Sequence, residues 1–330
     1  MSSVIRQSNI ELLRILAMLF VLIGHANGLV LGLPATEDFQ NNPLSSFCRI
    51  LFTSLAVGGV NIFVLISGWF GIHATKKGAA KFIFQVMFLL WGIYLVSILL
   101  GREKLSFEGI KVCMGLTNEY WFVMGYLGLY IFSPLLNSFV KTSSKIGLRN
   151  FLIAFYAFQC YYCWITGVVS YFEGYSIVFF CGLYLTGRYF NLYPLAFISN
   201  KPLKIYLFIS ILLAVVSFYT LYQWGNAMKL LRYDNPLVIL SSVSLLVYFC
   251  KMKFSSSFVN WLAASSFAVY IVHFHPSVFP LFRQIVESLS GQWNGVVFVF
   301  FILIFLLITY FACVLIDQIR IIAWKLITKS

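Results

Sequence analysis

Charge is the scarcest commodity in this chain. Lysine, arginine, aspartate and glutamate make up 10% of the 330 residues, and just 10 of those residues are acidic. A soluble domain of this size needs far more charge on its surface, so that class is excluded. Short alternating apolar–polar segments are also missing, which excludes a membrane β-barrel. There are four histidines and seven cysteines, an odd number. Cys160 and Cys163 form a C-x-x-C, but in an aromatic apolar run with no second pair or histidine nearby, so packing is the better reading. His273 and His275 lack an acidic or cysteine partner at ligand spacing, which argues against a metal. Internal repeats and low-complexity tails are absent. The links between apolar runs are short, the longest running from about 101 to 119 and the next from 34 to 46. Neither can build a core of its own, so function must reside in the apolar segments and at their ends.

What is present is apolar: 61% of the residues are hydrophobic and the mean hydropathy is +0.91. The pattern predicts an all-α polytopic membrane protein forming one membrane-embedded domain over residues 1–330. Ten spans are expected, at about 10–33, 47–72, 82–100, 120–140, 148–167, 173–190, 203–223, 236–250, 258–282 and 295–319. The first run has no small-residue cleavage site and reads as a retained helix. The net charge of +13 points to topology rather than to nucleic acid. With the N-terminus cytoplasmic, fifteen of the 23 basic residues fall inside, seven fall outside, and Arg14 lies within the membrane. That asymmetry predicts both termini on the cytoplasmic side.

The most informative stretch is Ile10 to Leu33, IELLRILAMLFVLIGHANGLVLGL. It is long enough to cross a bilayer yet carries Glu11, Arg14 and His25, and ionisable groups in such a run face a protein interior or a watery cavity. Eleven helical steps bring His25 to within about 20° of Arg14, with a rise of about 16 Å. A cation near the inner mouth and an imidazole in the outer half thus share one face. The plainer reading is a snorkelling arginine and a packed histidine.

Other residues break the apolar pattern. The second span ends NIFVLISGWFGIHATKK. Ser67 and Gly68 leave a small surface for another backbone or a thin ligand chain. Lys76, Lys77 and Lys81 follow; they set topology, or they offer an anion site for the phosphates of a cytosolic cofactor. The fourth span opens with Asn118, Glu119, Tyr120 and Trp121, a polar-aromatic rim suited to membrane anchoring or to a sugar face. Pro134 suggests a kink or a helix stop near its inner end. In the ninth, Tyr270 and His273 are three apart and neighbours on a helix. Physics alone then leaves two classes open, an enzyme working across the membrane and a proton-coupled transporter.

Four stretches, in this order and spacing, carry a resemblance: ELLRILAMLFVLIGH, NIFVLISGWF, YWF…LGLYIFSPLL and SSFAVYIVHFHP. Together they resemble the acyltransferase-3 family of integral membrane acyltransferases, which includes bacterial O-acetyltransferases of surface polysaccharides. The resemblance implies a multi-pass protein of the bacterial cytoplasmic membrane with no permanently bound cofactor and no metal. It implies acyl-CoA, usually acetyl-CoA, as cytosolic co-substrate, and an extracytoplasmic glycan as acceptor. His25 and Arg14 match the family's histidine and arginine, and Glu11 takes the place of its preceding acid. Lys81 stands near where the family often carries arginines. The extra C-terminal hydrolase-like domain of some members is not expected here, so acceptor handling falls to the bundle or to a partner protein.

The chemistry then assigns roles. His25 is expected to remove the acceptor proton, directly rather than through an acyl-histidine. Arg14 holds the donor or holds Glu11. Ser67, Lys76, Lys77 and Lys81 are donor-side candidates, and Glu119, Trp121, Tyr270 and His273 are acceptor-side candidates. Ser67, Tyr270 and His273 are also open as oxyanion donors. The alternatives are a flippase or transporter of a glycan or lipid-linked sugar, or an acyltransferase acting on a lipid or small molecule.

Overall fold

A computed structural model describes residues 7–115, 117–166, 174–293 and 295–328. Among these residues the chain is helical and forms no strand. The first half runs α1 (Ser8–Gly24), a π-helical turn (His25–Val30), α2 (Thr36–Asn41), α3 (Pro43–Ala56), α4 (Gly59–Phe70), α5 (Lys76–Leu99), α6 (Phe107–Cys113) and α7 (Trp121–Thr142). The second runs α8 (Lys145–Cys160), a π turn (Tyr161–Thr166), α9 (Ile177–Leu192), α10 (Ala196–Asn200), α11 (Pro202–Trp224), α12 (Pro236–Lys251), α13 (Ser257–Ala263), α14 (Ser266–His273), α15 (Phe279–Gln292) and α16 (Gly295–Ile327). Many starts are written in the sequence. The side chains of Asn42, Thr75, Ser106, Ser144, Ser176, Asn235 and Ser256 each accept a backbone N–H of the helix that follows. Each therefore satisfies a donor that the first turn leaves open.

Six segments among the described residues are long and apolar enough to cross a membrane: Ser8–Val30, Pro43–Phe70, Lys76–Leu99, Trp121–Thr142, Pro202–Trp224 and Val297–Ile327. A polytopic membrane protein follows from them. The other four expected spans also coincide with helices, but shorter or broken ones. The link between the fifth and sixth lies mostly outside the described residues.

One expectation needs correction, and one of the two alternatives left open at Pro134 is removed. The ninth span is not one helix. It is interrupted at Ala264–Ser265 and again from Phe274 to Val278. Pro276 cannot donate a backbone hydrogen bond, and it disfavours helix for the residue before it. The ring Nδ1 of His275 instead accepts the Ser277 N–H at 3.1 Å, which holds the turn. Pro134, in contrast, does not stop its helix: α7 continues to Thr142. Pro134 deprives the Tyr130 carbonyl of its N–H partner, and the Ser133 hydroxyl replaces it at 2.8 Å.

The chain divides into two compact units. The larger holds Gln7–His73 and Gly125–Ser255. In it, Gly59 lies against the backbone of Ala17, Gly68 against that of Tyr184, and Gly187 against those of Leu65 and Trp69. A Cβ at any of the three would collide with main chain, so these glycines are what let α1, α4 and α9 approach. The surface left by Ser67 and Gly68 is thus occupied at Gly68 by another helix. Side-chain bonds to main-chain carbonyls tie the unit further: Asn9 to Phe249 and Asn61 to Tyr233, both at 2.9 Å, and Tyr206 to Leu55 at 2.6 Å. An apolar cluster around Ile50, Ile209, Leu213, Leu221 and Val238 packs α3 against α11 and α12.

The smaller unit holds Ala74–Met124 and Ser256–Ser330. Here α5, α14 and α16 pack through Phe82 on Phe267 and Phe84 on Trp324, with ring centroids 5.3 and 5.0 Å apart. Ser266 and Tyr310 share a hydrogen bond of 2.8 Å. Near the end of α16, Arg320 pairs with Asp317 through two bonds of 2.8 and 2.6 Å. Both side chains are buried. The pair is self-contained, since each charge neutralises the other inside one helix.

Candidate active site

The larger unit carries the polar line of the first helix. α1 is unbroken from Ser8 to Gly24, and His25 still has helical dihedrals, φ −69° and ψ −43°. The rise of about 16 Å between Arg14 and His25 therefore stands. Arg14 donates through Nη1 to Glu11 Oε1, one turn earlier. Glu11 is buried and Arg14 half-buried, so the acid is compensated and part of the guanidinium still faces outward.

His25 sits where the α-helix widens into the π turn His25–Val30. Such turns are rare and concentrate at functional sites. What stabilises this one is a clamp from α3. Asn27 Nδ2 donates to Arg49 O at 2.9 Å and to Thr53 Oγ1 at 2.6 Å. Arg49 Nε returns a bond to Asn27 Oδ1 at 3.2 Å. Arg49 Nη2 reaches Gly32 O at 2.5 Å and Leu31 O at 3.4 Å, carbonyls left open where the π turn ends. Arg49 is thus a helix clamp, beyond the outside topogenic charge it resembles in the sequence. Neither Asn27 nor Arg49 was singled out from sequence, because a π turn has no hydrophobic period to betray it.

At the other end of the larger unit, Ser67 bonds Tyr126 OH at 3.0 Å and also donates to Phe63 O at 3.1 Å. Tyr126 lies within electrostatic range of Arg14. Ser67 and Arg14, 53 positions apart in the chain, are thus both near Tyr126, a tyrosine that the sequence pattern did not mark. Tyr184 extends the network. Its OH donates to Asn137 Oδ1 at 2.6 Å and accepts the Ile72 N–H at 2.9 Å. Asn137 donates to Ile72 O at 2.9 Å. Arg188 and Asn191 both donate to Trp69 O, at 3.2 and 2.8 Å. The last turn of α4 and the loop after it are thus held by tyrosine, asparagine and arginine side chains.

The smaller unit carries the remaining candidates at its two ends. Lys76, Lys77 and Lys81 occupy the first turns of α5 and are exposed. Cations at a helix N-terminus oppose the macrodipole, so helix stability does not account for them. At the far end of α5, about 36 Å away by helix rise, Glu103 accepts a hydrogen bond from the Ser277 hydroxyl. Near this end lies a cleft of about 380 Å³ lined by Glu119, Phe274, Phe279, Arg283, Gln284 and Glu287, among others. Phe274 and Phe279 meet edge to face at 4.9 Å, and the Arg283 guanidinium lies 5.7 Å from the centre of the Phe279 ring.

Of the expected rim, Glu119 lines this cleft and Trp121 is partly buried. Tyr120 is fully buried and does not belong to a rim; its OH donates to Ile271 O at 3.3 Å. The side chain of Asn118 lies outside the described residues. Tyr270 and His273 are neighbours as expected, with ring centroids 6.5 Å apart. Both are buried. Tyr270 OH donates to the Glu119 carbonyl at 2.8 Å and so fixes the residue that reaches the cleft. His273 Nδ1 bonds Val269 O of its own helix at 2.5 Å, and its ring packs against Phe282.

The arginine–histidine line of α1, the clamped π turn and the Ser67–Tyr126 pair thus lie in one compact unit. No curated protein and no solved structure matches the chain. A family model described as an acyltransferase domain, Acyl_transf_3, matches residues 7–317, and with nearly all of its length covered the chain belongs to the acyltransferase-3 family.

Proposed function

We propose that this membrane acyltransferase moves an acyl group, acetyl in the first instance, from cytosolic acyl-CoA to a hydroxyl of an extracytoplasmic glycan such as O-antigen, capsule or exopolysaccharide. The observation that carries the reading is the continuous α1 line. It sets Arg14 and His25 about 16 Å apart and ends at the start of the clamped π turn. A thin pantetheine arm spans such a distance. The charge asymmetry supports an orientation with both termini cytoplasmic, Arg14 inward and His25 outward, in a bundle of ten spans in the bacterial cytoplasmic membrane.

In this mechanism the acceptor hydroxyl attacks the thioester carbonyl while His25 takes its proton. The tetrahedral intermediate collapses, the carbon–sulfur bond breaks, and the imidazolium returns the proton to the leaving thiolate. The products are the glycan ester and free coenzyme A. Arg14, already tied to Glu11, presents its remaining N–H groups to the donor. Ser67 belongs to the same network through Tyr126. Lys76, Lys77 and Lys81 provide a positive field for the donor's phosphates. The cleft at Glu119 offers what a sugar ring needs: aromatic faces, two carboxylates, an amide and a guanidinium.

The test uses the purified full chain with radiolabelled acetyl-CoA and an oligosaccharide acceptor. Label transfer with one coenzyme A released per ester formed is the expected result. Acceptor movement across a sealed vesicle without coenzyme A release is the result that overturns it in favour of a transporter.

A further inference from the structure

We propose that Arg188 is an anion-binding residue for the phosphates of the donor; the inference rests on the acyl-CoA reading above. Arg14, Arg232 and Arg320 each pair with a carboxylate: Arg14 with Glu11, Arg232 with Asp234 and Arg320 with Asp317. Arg188 differs. Its Nη1 donates to the Trp69 carbonyl at 3.2 Å, its Nε is buried without a partner, and no carboxylate among the described residues pairs with it. A partly buried guanidinium with a spare buried donor and no counter-charge is costly, and an arriving anion removes that cost.

The surroundings suit an anion rather than a mere structural contact. Gly71, at φ +79°, turns the chain next to the guanidinium, and an added Cβ there would come within 3.5 Å of Arg188 Nη1. A planar fork is the geometry that takes phosphate oxygens two at a time, and its open donor is Nε, on the other edge from the Nη1 that holds Trp69. Asn137, Tyr184 and the Ile72 N–H are bonded to one another, so they frame the position without competing for the charge. Tyr126, which shares a hydrogen bond with Ser67, lies within electrostatic range of both Tyr184 and Arg14. Arg188 thus stands at the α4 C-terminal end of the larger unit, the end that carries Arg14 rather than His25. A donor lying along α1 with its thioester toward His25 leaves its phosphates at this end.

The experiment measures equilibrium binding of acetyl-CoA and of S-acetylpantetheine, which lacks the phosphates of coenzyme A, to the purified full chain. Wild type, Arg188→Ala and Arg188→Lys are compared. Losing one charge-assisted recognition of phosphate corresponds to a tenfold to hundredfold fall in affinity, by order of magnitude. The expected result is a loss of about that size for acetyl-CoA in Arg188→Ala, a smaller one in Arg188→Lys, and less than about a twofold change for S-acetylpantetheine. The S-acetylpantetheine arm also reports that the variant is folded. Wild-type affinity for acetyl-CoA in Arg188→Ala, or equal losses for both ligands, overturns the assignment while leaving the acyltransfer reading intact. Failure of the wild-type protein both to bind acetyl-CoA and to transfer acetyl overturns that reading, and this inference with it.

Discussion

His25 and His273 are both histidines on apolar helices, each in one of the two compact units, and the fold treats them differently. His273 is buried at 1% exposure, bonded to a carbonyl of its own helix and wrapped by Tyr270, Phe274 and Phe282. Such an imidazole is a packed member of α14. His25 is partly exposed and stands at the mouth of a π turn that Asn27 and Arg49 hold open. The contrast teaches that local packing and backbone geometry decide whether an imidazole on an apolar helix is buried away or accessible.

The largest expected effect is at His25. His25→Ala should lower acyl transfer by about a hundredfold to ten-thousandfold, the usual contribution of a positioned general base, with the protein still inserted and accumulated. This is read as label incorporated per amount of folded protein. The next largest tests the clamp. Arg49→Ala should cost about tenfold to a hundredfold in kcat with little change in KM for acetyl-CoA, because it displaces the π turn rather than a binding group. Equal damage to KM would instead point to a general loss of structure. His273→Ala should act mainly on stability, by about 2–3 kcal/mol for a buried ring removed from a packed site. Thermal unfolding in detergent measures it, and transfer per folded molecule should stay within about threefold, a change of roughly 0.7 kcal/mol in barrier. The smallest is Ser133→Ala, which leaves the Tyr130 carbonyl unpaired beside Pro134 and should cost about 1 kcal/mol of stability without altering transfer.

The parts legible in the sequence are those with a simple period or a short-range signal. Apolar runs located helices in all ten intervals, side-chain caps marked many of their starts, and the eleven-residue spacing in α1 gave the Arg14–His25 line. The family was legible as well, from four stretches in order. The rest depends on tertiary context. Whether a proline breaks a helix was decided by whether a neighbour replaced its lost hydrogen bond: Ser133 does so at Pro134, while the chain turns at Pro276. Counting basic residues to set topology hid the contacts of Arg49 and Arg188, since a charge count does not see which carbonyl a guanidinium meets. Tyr120 reads as interfacial from its neighbours and turns out buried because Ile271 offers its hydroxyl a carbonyl. Tyr126 and Tyr184 look like ordinary aromatic core until their hydroxyl partners are known.

The central claim is that His25, and not the better-buried imidazole, carries the proton transfer. The most direct measurement places His25→Ala and His273→Ala side by side, with labelled acetyl transferred from acetyl-CoA to the glycan at equal amounts of folded protein. The account predicts background transfer for His25→Ala and at least about a third of wild-type transfer for His273→Ala, in line with the threefold limit above. Substantial transfer by His25→Ala, or loss confined to His273→Ala, would contradict it.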